Sequence, residues 1–264
     1  MIAYPDFDPI AFSIGPLDLR WYGLMYIIGF ALAWWLAKRR AMRADINWTQ
    51  EQVGDVIFYG ALGVILGGRL GYILFYKFDH FIEQPAILYR VWEGGMSFHG
   101  GLIGVTLALW LFARRYKKPL FEVTDFIVPM IPLGLFFGRI GNFINNELWG
   151  RPTDLPWGVI PKNSEQALHP SQLYEAFLEG ILLFLILWFF SAKPRPMMSI
   201  SGLFLLCYGV FRFMVEFVRS PDIDMGYLAF NWLTMGQVLS LPMIVVGVIM
   251  IAIAYKKTTG RDSS

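Results

Sequence analysis

The sequence has little charge and almost no cysteine. Charged residues make up only 16% of its 264 residues, whereas apolar residues make up 56%. A chain this apolar and this poor in charge does not have the composition of an ordinary soluble domain. The single cysteine, Cys207, excludes an intramolecular disulfide and any metal site built from several cysteines. Its place in an apolar run is typical of a buried packing residue. The composition therefore indicates a multi-pass membrane protein.

Common catalytic motifs are missing as well. The sequence contains no serine nucleophile elbow, no Walker loop and no HExxH motif, and no paired-carboxylate motif is evident. Acyl-enzyme hydrolysis, nucleotide use and zinc proteolysis therefore have no support. The slight excess of positive charge is spread along the chain and gives no reason to expect nucleic-acid binding.

Seven apolar runs are long enough to cross a bilayer, for which a helix needs about 20 mostly apolar residues. We therefore predict an all-α polytopic membrane protein with seven transmembrane helices. Pro129 and Pro132 interrupt the fourth run, which membrane helices tolerate when neighbours satisfy the freed carbonyls. No linker divides the chain, so we expect one integral-membrane domain over residues 1–264. The runs cover roughly residues 21–37, 53–76, 96–113, 120–138, 173–190, 201–219 and 233–255.

The basic residues predict the orientation. With the N-terminus outside, thirteen of them fall in cytoplasmic segments and six fall outside. The asymmetry occurs at every alternate loop, as the positive-inside rule requires for seven spans. The loop region of residues 141–172 then lies on the outer side, over a membrane-facing cavity. The cytoplasmic set is Lys38, Arg39, Arg40, Arg43, Arg114, Arg115, Lys117, Lys118, Lys193, Arg195, Lys256, Lys257 and Arg261, and the outer set is Arg20, Lys77, Arg90, Arg151, Lys162 and Arg219.

The segment Gly138–Gly150 is the most informative part of the chain. It places Arg139, amide side chains and Glu147 directly after the apolar run from Phe126 to Phe137. Ionisable groups at membrane depth are costly and usually have a paired or functional role. An arginine followed by polar side chains and glycines at this boundary predicts an anionic partner.

A second polar group lies in the sixth apolar run. Four of its side chains fall within about 80° of one another at about 100° per residue: Tyr208, Arg212, Glu216 and Arg219. One interpretation is a structural ion pair between Arg212 and Glu216. The other is that Glu216 orients Arg212 so that its guanidinium binds a phosphate through two hydrogen bonds. Arg139 would then complete a clamp of two arginines.

Two histidines and a tyrosine are further candidates. His99 lies between glycines, which leave room for a substrate, and histidine is the side chain best suited to act as a base near neutral pH. A lone histidine is more often structural. His169 is a weaker candidate, because His-Pro-Ser also reads as the start of the fifth helix. Tyr22, at the outer end of the first run, is either an interfacial aromatic residue or a hydrogen-bond donor to a head group.

The second apolar run is rich in glycine. Gly63, Gly67 and Gly71 recur every four residues, a spacing that lets helix backbones approach closely. Tight packing is therefore the expected role of these glycines. Arg69 lies among them, and a functional role for it remains open at this stage.

Taken together, four motifs resemble those of the bacterial prolipoprotein diacylglyceryl transferases. The segment Gly138–Gly150 matches the signature of that family and is highly specific for it. The resemblance extends over essentially the whole chain, with no departure at the positions that matter. The matching motifs are Gly138–Gly150, Gly95–Gly101, His169–Glu175 and Tyr208–Arg219.

The resemblance implies a seven-helix enzyme of the bacterial inner membrane with its active site toward the periplasm. Such an enzyme moves the diacylglyceryl group of phosphatidylglycerol to the thiol of the lipobox cysteine in a prolipoprotein, which forms a thioether and releases glycerol phosphate. This is the first step of lipoprotein maturation. The nucleophile belongs to the protein substrate, and no metal or diffusible cofactor is needed. The expected partners are phosphatidylglycerol, the prolipoprotein signal peptide and membrane lipids, and we expect the chain to be a monomer.

The resemblance also implies residue roles. Arg139 would bind phosphatidylglycerol and Arg212 would stabilise phosphate charge. His99 would accept the thiol proton, because a thiol with a pKa of about 8.5 is mostly protonated at neutral pH. The amide and carboxylate that follow Arg139 would position it or the glycerol head group, and two tyrosines would donate hydrogen bonds. The expected catalytic residues are His99, Arg139 and Arg212, and the expected substrate-binding residues are Arg139, Tyr22, Asn142, Glu147, Tyr208 and Glu216.

Two other classes of function share some of these features. Arginines inside the membrane and a glycine-rich span also suit an anion transporter or channel. The sequence shows no inverted repeat, however, and its polar groups are concentrated toward one membrane face. A phospholipid-consuming transferase with a different acceptor is the other alternative.

Overall fold

Helices dominate the computed structural model of this chain, which describes residues 1–15, 17–90, 94–162, 164–221, 226–230 and 232–259. A helical segment occupies each of the seven predicted apolar runs. Arg261, which we counted in the cytoplasmic tail, lies outside the described residues. The strands are β1 (Ile2–Ala3), β2 (Ile10–Ile14), β3 (Leu17–Arg20) and β4 (Val159–Ile160), and the helices are α1 (Trp21–Ala41), α2 (Gln50–Tyr76), α3 (Phe78–Glu83), α4 (Phe98–Arg115), α5 (Leu120–Ile127), α6 (Ile131–Ile144), α7 (Ser171–Glu175), α8 (Leu183–Phe190), α9 (Ser199–Val215) and α10 (Met235–Thr259).

Four helical segments among the described residues are long and apolar enough to cross a membrane, judged by length and composition. The segment Ser199–Val215 is apolar but shorter. The chain is therefore a mostly helical protein with helices suited to a bilayer, which agrees with the predicted all-α membrane class. The count of seven spans and the orientation of the termini remain predictions. The four segments are Gln50–Tyr76, Leu120–Ile144, Ser171–Phe190 and Met235–Lys256.

The two prolines of the fourth run change the helix type without ending the run. A 3₁₀ turn, Val128–Met130, joins α5 to α6, with Pro129 inside the turn and Pro132 in the first turn of α6. Proline lacks a backbone N–H and is tolerated at the start of a helix, where that donor would have no partner in the helix. The run therefore continues as helix to Ile144, beyond the predicted end at about residue 138.

Helix α9 is shorter than predicted at its C-terminal end. It stops at Val215, and Arg219 instead forms a β-bridge with Gly150. The Arg151 N–H donates to the Val218 carbonyl at 2.9 Å and helps to hold this turn in place. A pairing partner so distant in the sequence leaves no trace in the local apolar pattern, so the predicted helix extended too far.

The described residues form two compact units, residues 1–36 with 125–264 and residues 37–124. In the second unit, α2 packs against α4 through glycines on both helices. A Cβ atom added to Gly63 would lie 2.6 Å from the Gly104 carbonyl oxygen, and one added to Gly71 would lie 2.6 Å from the Gly100 Cα. Gly67 has equally little room against the same helix. The predicted close approach at the glycine repeat is confirmed.

Arg69 in this second unit has a structural environment. Its side chain is only 3% exposed. The guanidinium donates to the carbonyls of Ile87 at 3.0 Å, Arg90 at 2.7 Å and Gly95 at 3.1 Å, and also to the Gly94 carbonyl. These bonds tie the segment after α3 to α2. They account for the buried charge without a bound anion.

The first unit contains two helix pairs that position the candidate site. α9 packs on α10, and α6 packs on the helical segment of residues 171–190. Gly180 permits the second approach, since a Cβ atom there would lie 2.7 Å from the Phe136 Cβ on α6. Cys207 packs half-buried against the apolar core, as predicted. β1 pairs in parallel with β4, and β2 pairs antiparallel with β3.

Candidate active site

Six charged side chains meet in the first unit, and we call them the charge cluster. The three guanidiniums are 20%, 16% and 14% exposed, whereas the three carboxylates are 1%, 0% and 4% exposed. Burial of charge is costly unless charges of opposite sign are paired. The cluster satisfies this condition within itself. Its members are Arg139, Arg212, Arg219, Glu175, Glu179 and Glu216.

Glu175 is the centre of the charge cluster. Its Oε2 lies 2.5 Å from the Arg139 Nε. Its Oε1 lies 2.8 Å from the Arg212 Nη1 and 2.9 Å from the Arg219 Nη1. One carboxylate therefore joins guanidiniums from α6, from α9 and from the turn that follows α9. This arrangement brings the two arginines of the predicted clamp to the same side chain.

Glu216 holds Arg212 from the other side. Its Oε1 pairs with the Arg212 Nη2, and its Oε2 accepts a hydrogen bond from the Thr234 hydroxyl at 2.5 Å. Gly236, in the first turn of α10, leaves room for this carboxylate, because a Cβ atom there would lie 2.6 Å from Oε1. Both terminal nitrogens of Arg212 thus contact carboxylates. The predicted pairing of Arg212 with Glu216 is present.

Glu179 differs from the other two glutamates. Its side chain is fully buried, and neither carboxylate oxygen has a hydrogen-bond partner among the described residues. The nearest guanidinium nitrogens are the Arg139 Nη2 at 3.8 Å and the Arg212 Nη1 at 4.0 Å. A buried, ionisable group without a hydrogen bond is unusual and requires an explanation.

A change of helix type accompanies the two central glutamates. α7 ends at Glu175 and continues as a π-helical segment, Ala176–Leu182, that carries Glu179. π-helical segments are rare and often occur at functional sites. The start of this helix is fixed by side chains, because the Ser171 hydroxyl donates to the Leu148 carbonyl at 2.8 Å and Gln172 Nε2 donates to the Glu147 carbonyl at 2.5 Å.

Arg139 is also linked to the signature segment. Its Nη1 lies 3.4 Å from the Asn142 Oδ1, and the Asn142 Nδ2 donates to the Glu147 Oε1 at 2.8 Å. Asn146 adopts a positive φ of 58° just after α6 and accepts a hydrogen bond from the Trp149 indole at 3.0 Å. This tight turn carries Glu147 back toward Asn142. The terminal nitrogens of Arg139 have no partner closer than 3.4 Å among the described residues, so this edge of the guanidinium is the least occupied.

The two predicted tyrosines come from different helices, Tyr22 from α1 and Tyr208 from α9. Tyr22 packs against Gly141 of α6, where an added Cβ atom would lie 2.8 Å from its ring, and its hydroxyl lies 3.3 Å from that of Tyr26. Tyr208 lies one turn before Arg212 on α9 and interacts electrostatically with Arg212 and Glu179. The structure therefore groups seven of the eight predicted site residues in one unit.

His99 is the exception. It belongs to the second unit, where it is the second residue of α4. Its exposed imidazole lines a surface concavity of about 240 Å³ together with Phe75, Tyr76 and Ser97.

His169 has a structural position, as its motif suggested. It precedes Pro170, and α7 begins at Ser171. Its backbone accepts a hydrogen bond from the Gly150 N–H at 2.9 Å, and its Nδ1 lies 3.2 Å from the Tyr174 hydroxyl. Burial, and to a lesser degree a neighbouring arginine, lowers the pKa of the imidazole below its usual range. A largely neutral histidine at neutral pH follows from this.

Comparison with known proteins identifies the family. A family model described as prolipoprotein diacylglyceryl transferase matches residues 9–253. The chain belongs to this family. It is 60% identical to a protein named phosphatidylglycerol–prolipoprotein diacylglyceryl transferase in Ectopseudomonas mendocina (strain ymp), over 97% of both chains.

Two further relatives carry the same name. The one from Coxiella burnetii (strain RSA 331 / Henzerling II) is 60% identical over 97% of this chain and 98% of its own. The one from Pseudomonas paraeruginosa (strain DSM 24068 / PA7) is 57% identical over 100% of both chains. The family resemblance inferred from the four motifs is confirmed, and the chain is an enzyme of the transferase class.

The sequence did not lead us to two residues of the charge cluster. Glu175 was part of a quoted motif but received no role, and Glu179 was overlooked altogether. Both lie in the fifth apolar run, four residues apart, where carboxylates are rare and usually functional. We had found no paired-carboxylate motif in the sequence, and this pair of glutamates in the fifth apolar run shows that the search was incomplete. Two glutamates inside an apolar run were the signal that would have found them.

The charge cluster holds three partly exposed guanidiniums beside buried carboxylates. Arginine binds phosphate through parallel hydrogen bonds, and guanidiniums act more strongly where water is scarce. Three guanidiniums and three carboxylates balance one another when all are ionised. An additional anion therefore fits only if the pairing or the protonation inside the cluster changes.

Proposed function

We propose that this protein transfers the diacylglyceryl group of phosphatidylglycerol to the lipobox cysteine thiol of prolipoproteins. Two findings support the proposal: membership of the family, and three guanidiniums held around Glu175, which lies in a helical segment suited to a membrane. The relatives' names include both phosphatidylglycerol and prolipoprotein, and we take the lipid as the donor. The arginines supply what a phosphodiester head group requires.

The reaction places demands that the charge cluster can meet. The sulfur of the substrate forms a bond to a glyceryl carbon while the bond between this carbon and the phosphate oxygen breaks. Glycerol phosphate leaves with the electron pair of the broken bond, and the thiol proton passes to a base. Because negative charge grows on the leaving phosphate, fixed guanidiniums favour the transition state over the ground state.

The two arginines of the clamp have different parts in this proposal. Arg139 binds the phosphate through its terminal nitrogens, whose closest partners lie at 3.4 Å and 3.8 Å. Arg212 stabilises the developing charge, oriented by Glu175 at one terminal nitrogen and by Glu216 at the other. Its contact with the phosphate then requires exchange of one of these carboxylate partners.

The remaining candidates position the lipid or the arginines. Asn142 and Glu147 form a hydrogen-bonded chain that begins at Arg139 and offers polar atoms to the glycerol head group. Tyr22 donates to the head group from α1, and Tyr208 donates from α9. Substitution of either tyrosine by phenylalanine should raise the lipid concentration needed for half-maximal rate, and an unchanged value would remove that tyrosine from the site.

His99 is the proposed base for the thiol proton. His99→Gln should lower the rate at pH 7 and have a smaller effect near pH 9, where a thiol with a pKa of about 8.5 ionises without help. The exposed His80 provides a matched control, His80→Gln, that should follow the wild-type pH profile. A wild-type rate at pH 7 in His99→Gln would mean that another group accepts the proton.

The proposed setting is the bacterial inner membrane, with one integral-membrane domain, seven spans and the active site toward the periplasm. A membrane-impermeant thiol reagent tests the orientation in cells that carry a single introduced cysteine. Glu165→Cys, in the loop region of residues 141–172, should be labelled, and Ala44→Cys, between α1 and α2, should be protected. The reverse pattern would overturn the orientation. Light scattering of the purified protein tests the proposed monomer.

The decisive experiment supplies purified protein with phosphatidylglycerol and a lipobox peptide. Mass spectrometry should detect a peptide that has gained one diacylglyceryl group through a thioether. A peptide in which serine replaces the lipobox cysteine should remain unmodified, which separates this activity from a transferase with another acceptor. No lipidated product from folded protein would overturn the proposal and leave the transporter alternative.

A further inference from the structure

Glu179 has no part in the proposed chemistry so far, yet it lies where the phosphate must bind. Its carboxylate oxygens face the Arg139 Nη2 at 3.8 Å and the Arg212 Nη1 at 4.0 Å. These are the two arginines of the clamp, and the distances are too long for hydrogen bonds. A phosphate that approaches both guanidiniums therefore meets this carboxylate as a neighbour.

The charge balance makes it unfavourable for the phosphate to bind beside an ionised Glu179. The cluster holds three guanidiniums and three carboxylates, so its net charge is zero when all six are ionised. A phosphodiester adds one negative charge to a site whose carboxylates are almost entirely buried. An unpaired buried charge is far more costly than a neutral group, and a buried carboxyl group neutralises by taking up a proton.

Among the three carboxylates, Glu179 is the one able to take that proton at least cost. Glu175 contacts three guanidiniums at 2.5–2.9 Å. Glu216 pairs with Arg212 and accepts a hydrogen bond from Thr234 at 2.5 Å. Protonation of either would weaken short ion pairs. Glu179 has no hydrogen-bond partner to lose in the part of the chain that the structure describes, and its protonated form gains an O–H donor that can bind a phosphate oxygen.

Other groups around Glu179 keep their charge in the neutral pH range. It is faced by Arg139 from α6, by Arg212 and Tyr208 from α9, by Arg219 from the turn after α9, and by Glu175 from its own helix. As a residue type, arginine is effectively always charged in proteins, a phosphodiester is singly charged between about pH 6 and 9, and an ordinary tyrosine titrates above this range. His169, the histidine of this unit near the signature segment, has a pKa lowered by burial, which favours its neutral form.

We propose that Glu179 takes up one proton when the phosphate of the lipid binds between Arg139 and Arg212, so that lipid binding is coupled to proton uptake. The inference rests on the proposed function, because it takes a phosphodiester as the ligand. Proton linkage then requires the affinity for the lipid to fall about tenfold for each pH unit in the range where free Glu179 is ionised.

Isothermal calorimetry in two buffers of different ionisation enthalpy counts the protons directly. The probe is short-chain phosphatidylglycerol, added to the full-length protein in a neutral detergent between pH 7 and 9. At the upper end of this range, where free Glu179 is ionised, the wild-type protein should take up close to one proton per lipid bound. Glu179→Gln, which resembles the protonated acid, should bind without proton uptake and with an affinity that no longer depends on pH. The exposed Glu165 provides the control, Glu165→Gln, that should behave as wild type.

Two results would overturn the inference: no proton uptake by the wild-type protein, or the same uptake by folded Glu179→Gln. If Glu179→Gln does not fold, infrared difference spectra of the wild-type protein replace this comparison. The lipid is then an ether-linked phosphatidylglycerol, which has no ester carbonyl to obscure the signal. A new band of a protonated carboxyl group should appear on binding, and its absence would overturn the inference. Failure of the proposed function looks different, since the wild-type protein would then neither bind this lipid nor modify the lipobox peptide.

Discussion

Glu175→Gln removes the charge on which the cluster is built. Glutamine has nearly the same shape as glutamate but no negative charge, and its amide group places N–H donors where a guanidinium donor already points. Three guanidiniums lose their shared partner at once, because Glu175 contacts Arg139, Arg212 and Arg219. Excess positive charge in a nearly buried site then destabilises the fold.

The size of the effect follows from burial. Loss of one partner from a buried ion pair costs about 3–5 kcal/mol. The guanidiniums are 20%, 16% and 14% exposed, so water screens part of the remaining repulsion. We therefore expect the lower end of this range, about 3 kcal/mol of unfolding free energy. Substitution of Arg219 by glutamine in the same chain restores the charge balance. The double variant should lose at least about 1 kcal/mol less than the sum of the two single changes.

Titration with sodium dodecyl sulfate in mixed maltoside micelles, followed by circular dichroism, measures these differences. Glu165→Gln removes an exposed glutamate and should stay within about 0.5 kcal/mol of wild type. A loss below about 1 kcal/mol in Glu175→Gln, or strict additivity with Arg219→Gln, would refute the reasoning. The guanidiniums would then be held by other contacts.

Three further predictions concern glycines and a histidine. Gly67→Ala should lose about 1–3 kcal/mol of unfolding free energy, because its Cβ meets the backbone of α4. The control Gly60→Ala should lose none, since nothing lies within 4 Å of a Cβ atom there. Equal stability of the two variants would contradict the packing. Gly236→Ala should displace the Glu216 carboxylate, because a Cβ atom there overlaps it. The lipid concentration needed for half-maximal rate should rise roughly three- to tenfold, which corresponds to the loss of a contact worth about 1 kcal/mol. Gly60→Ala again serves as the control. The lowered pKa of His169 means that the unfolded chain binds more protons than the folded one, so unfolding free energy should fall as pH drops from about 7 to 5. His169→Gln should flatten this part of the profile, and an unchanged slope would assign it to another group.

The helical framework could be predicted because the bilayer imposes a length and a composition on each helix. The ends of the helices could not, because they depend on distant partners. Arg219 leaves the helical path since it pairs with Gly150, far away in the sequence. The glycine repeat of α2 was readable, since a spacing of four residues places Gly63 and Gly67 on one helix face.

The local contacts of the charge cluster could be predicted from the sequence, but the contacts between helices could not. The pairing of Arg212 with Glu216 is local, because residues four apart on a helix are neighbours. The contact of Arg139 with Glu175 depends on how α6 packs against another helix, which Gly180 permits and no local pattern reveals. The sequence interpretation looked for an external anion to match the arginines. The fold supplies internal carboxylates first, and this is why the role of Glu175 was missed.

The central claim is that two arginines, Arg139 on α6 and Arg212 on α9, act on the phosphate of the lipid. Its most direct test is the initial rate of thioether formation by Arg139→Ala and by Arg212→Ala at saturating phosphatidylglycerol, with folding checked by circular dichroism. Arg114→Ala, which removes an exposed arginine of α4, is the matched control. We predict a loss of at least about 100-fold for each clamp variant, the usual effect of removing one group that stabilises transition-state charge, and a wild-type rate for the control. A wild-type rate in either folded clamp variant would contradict the account.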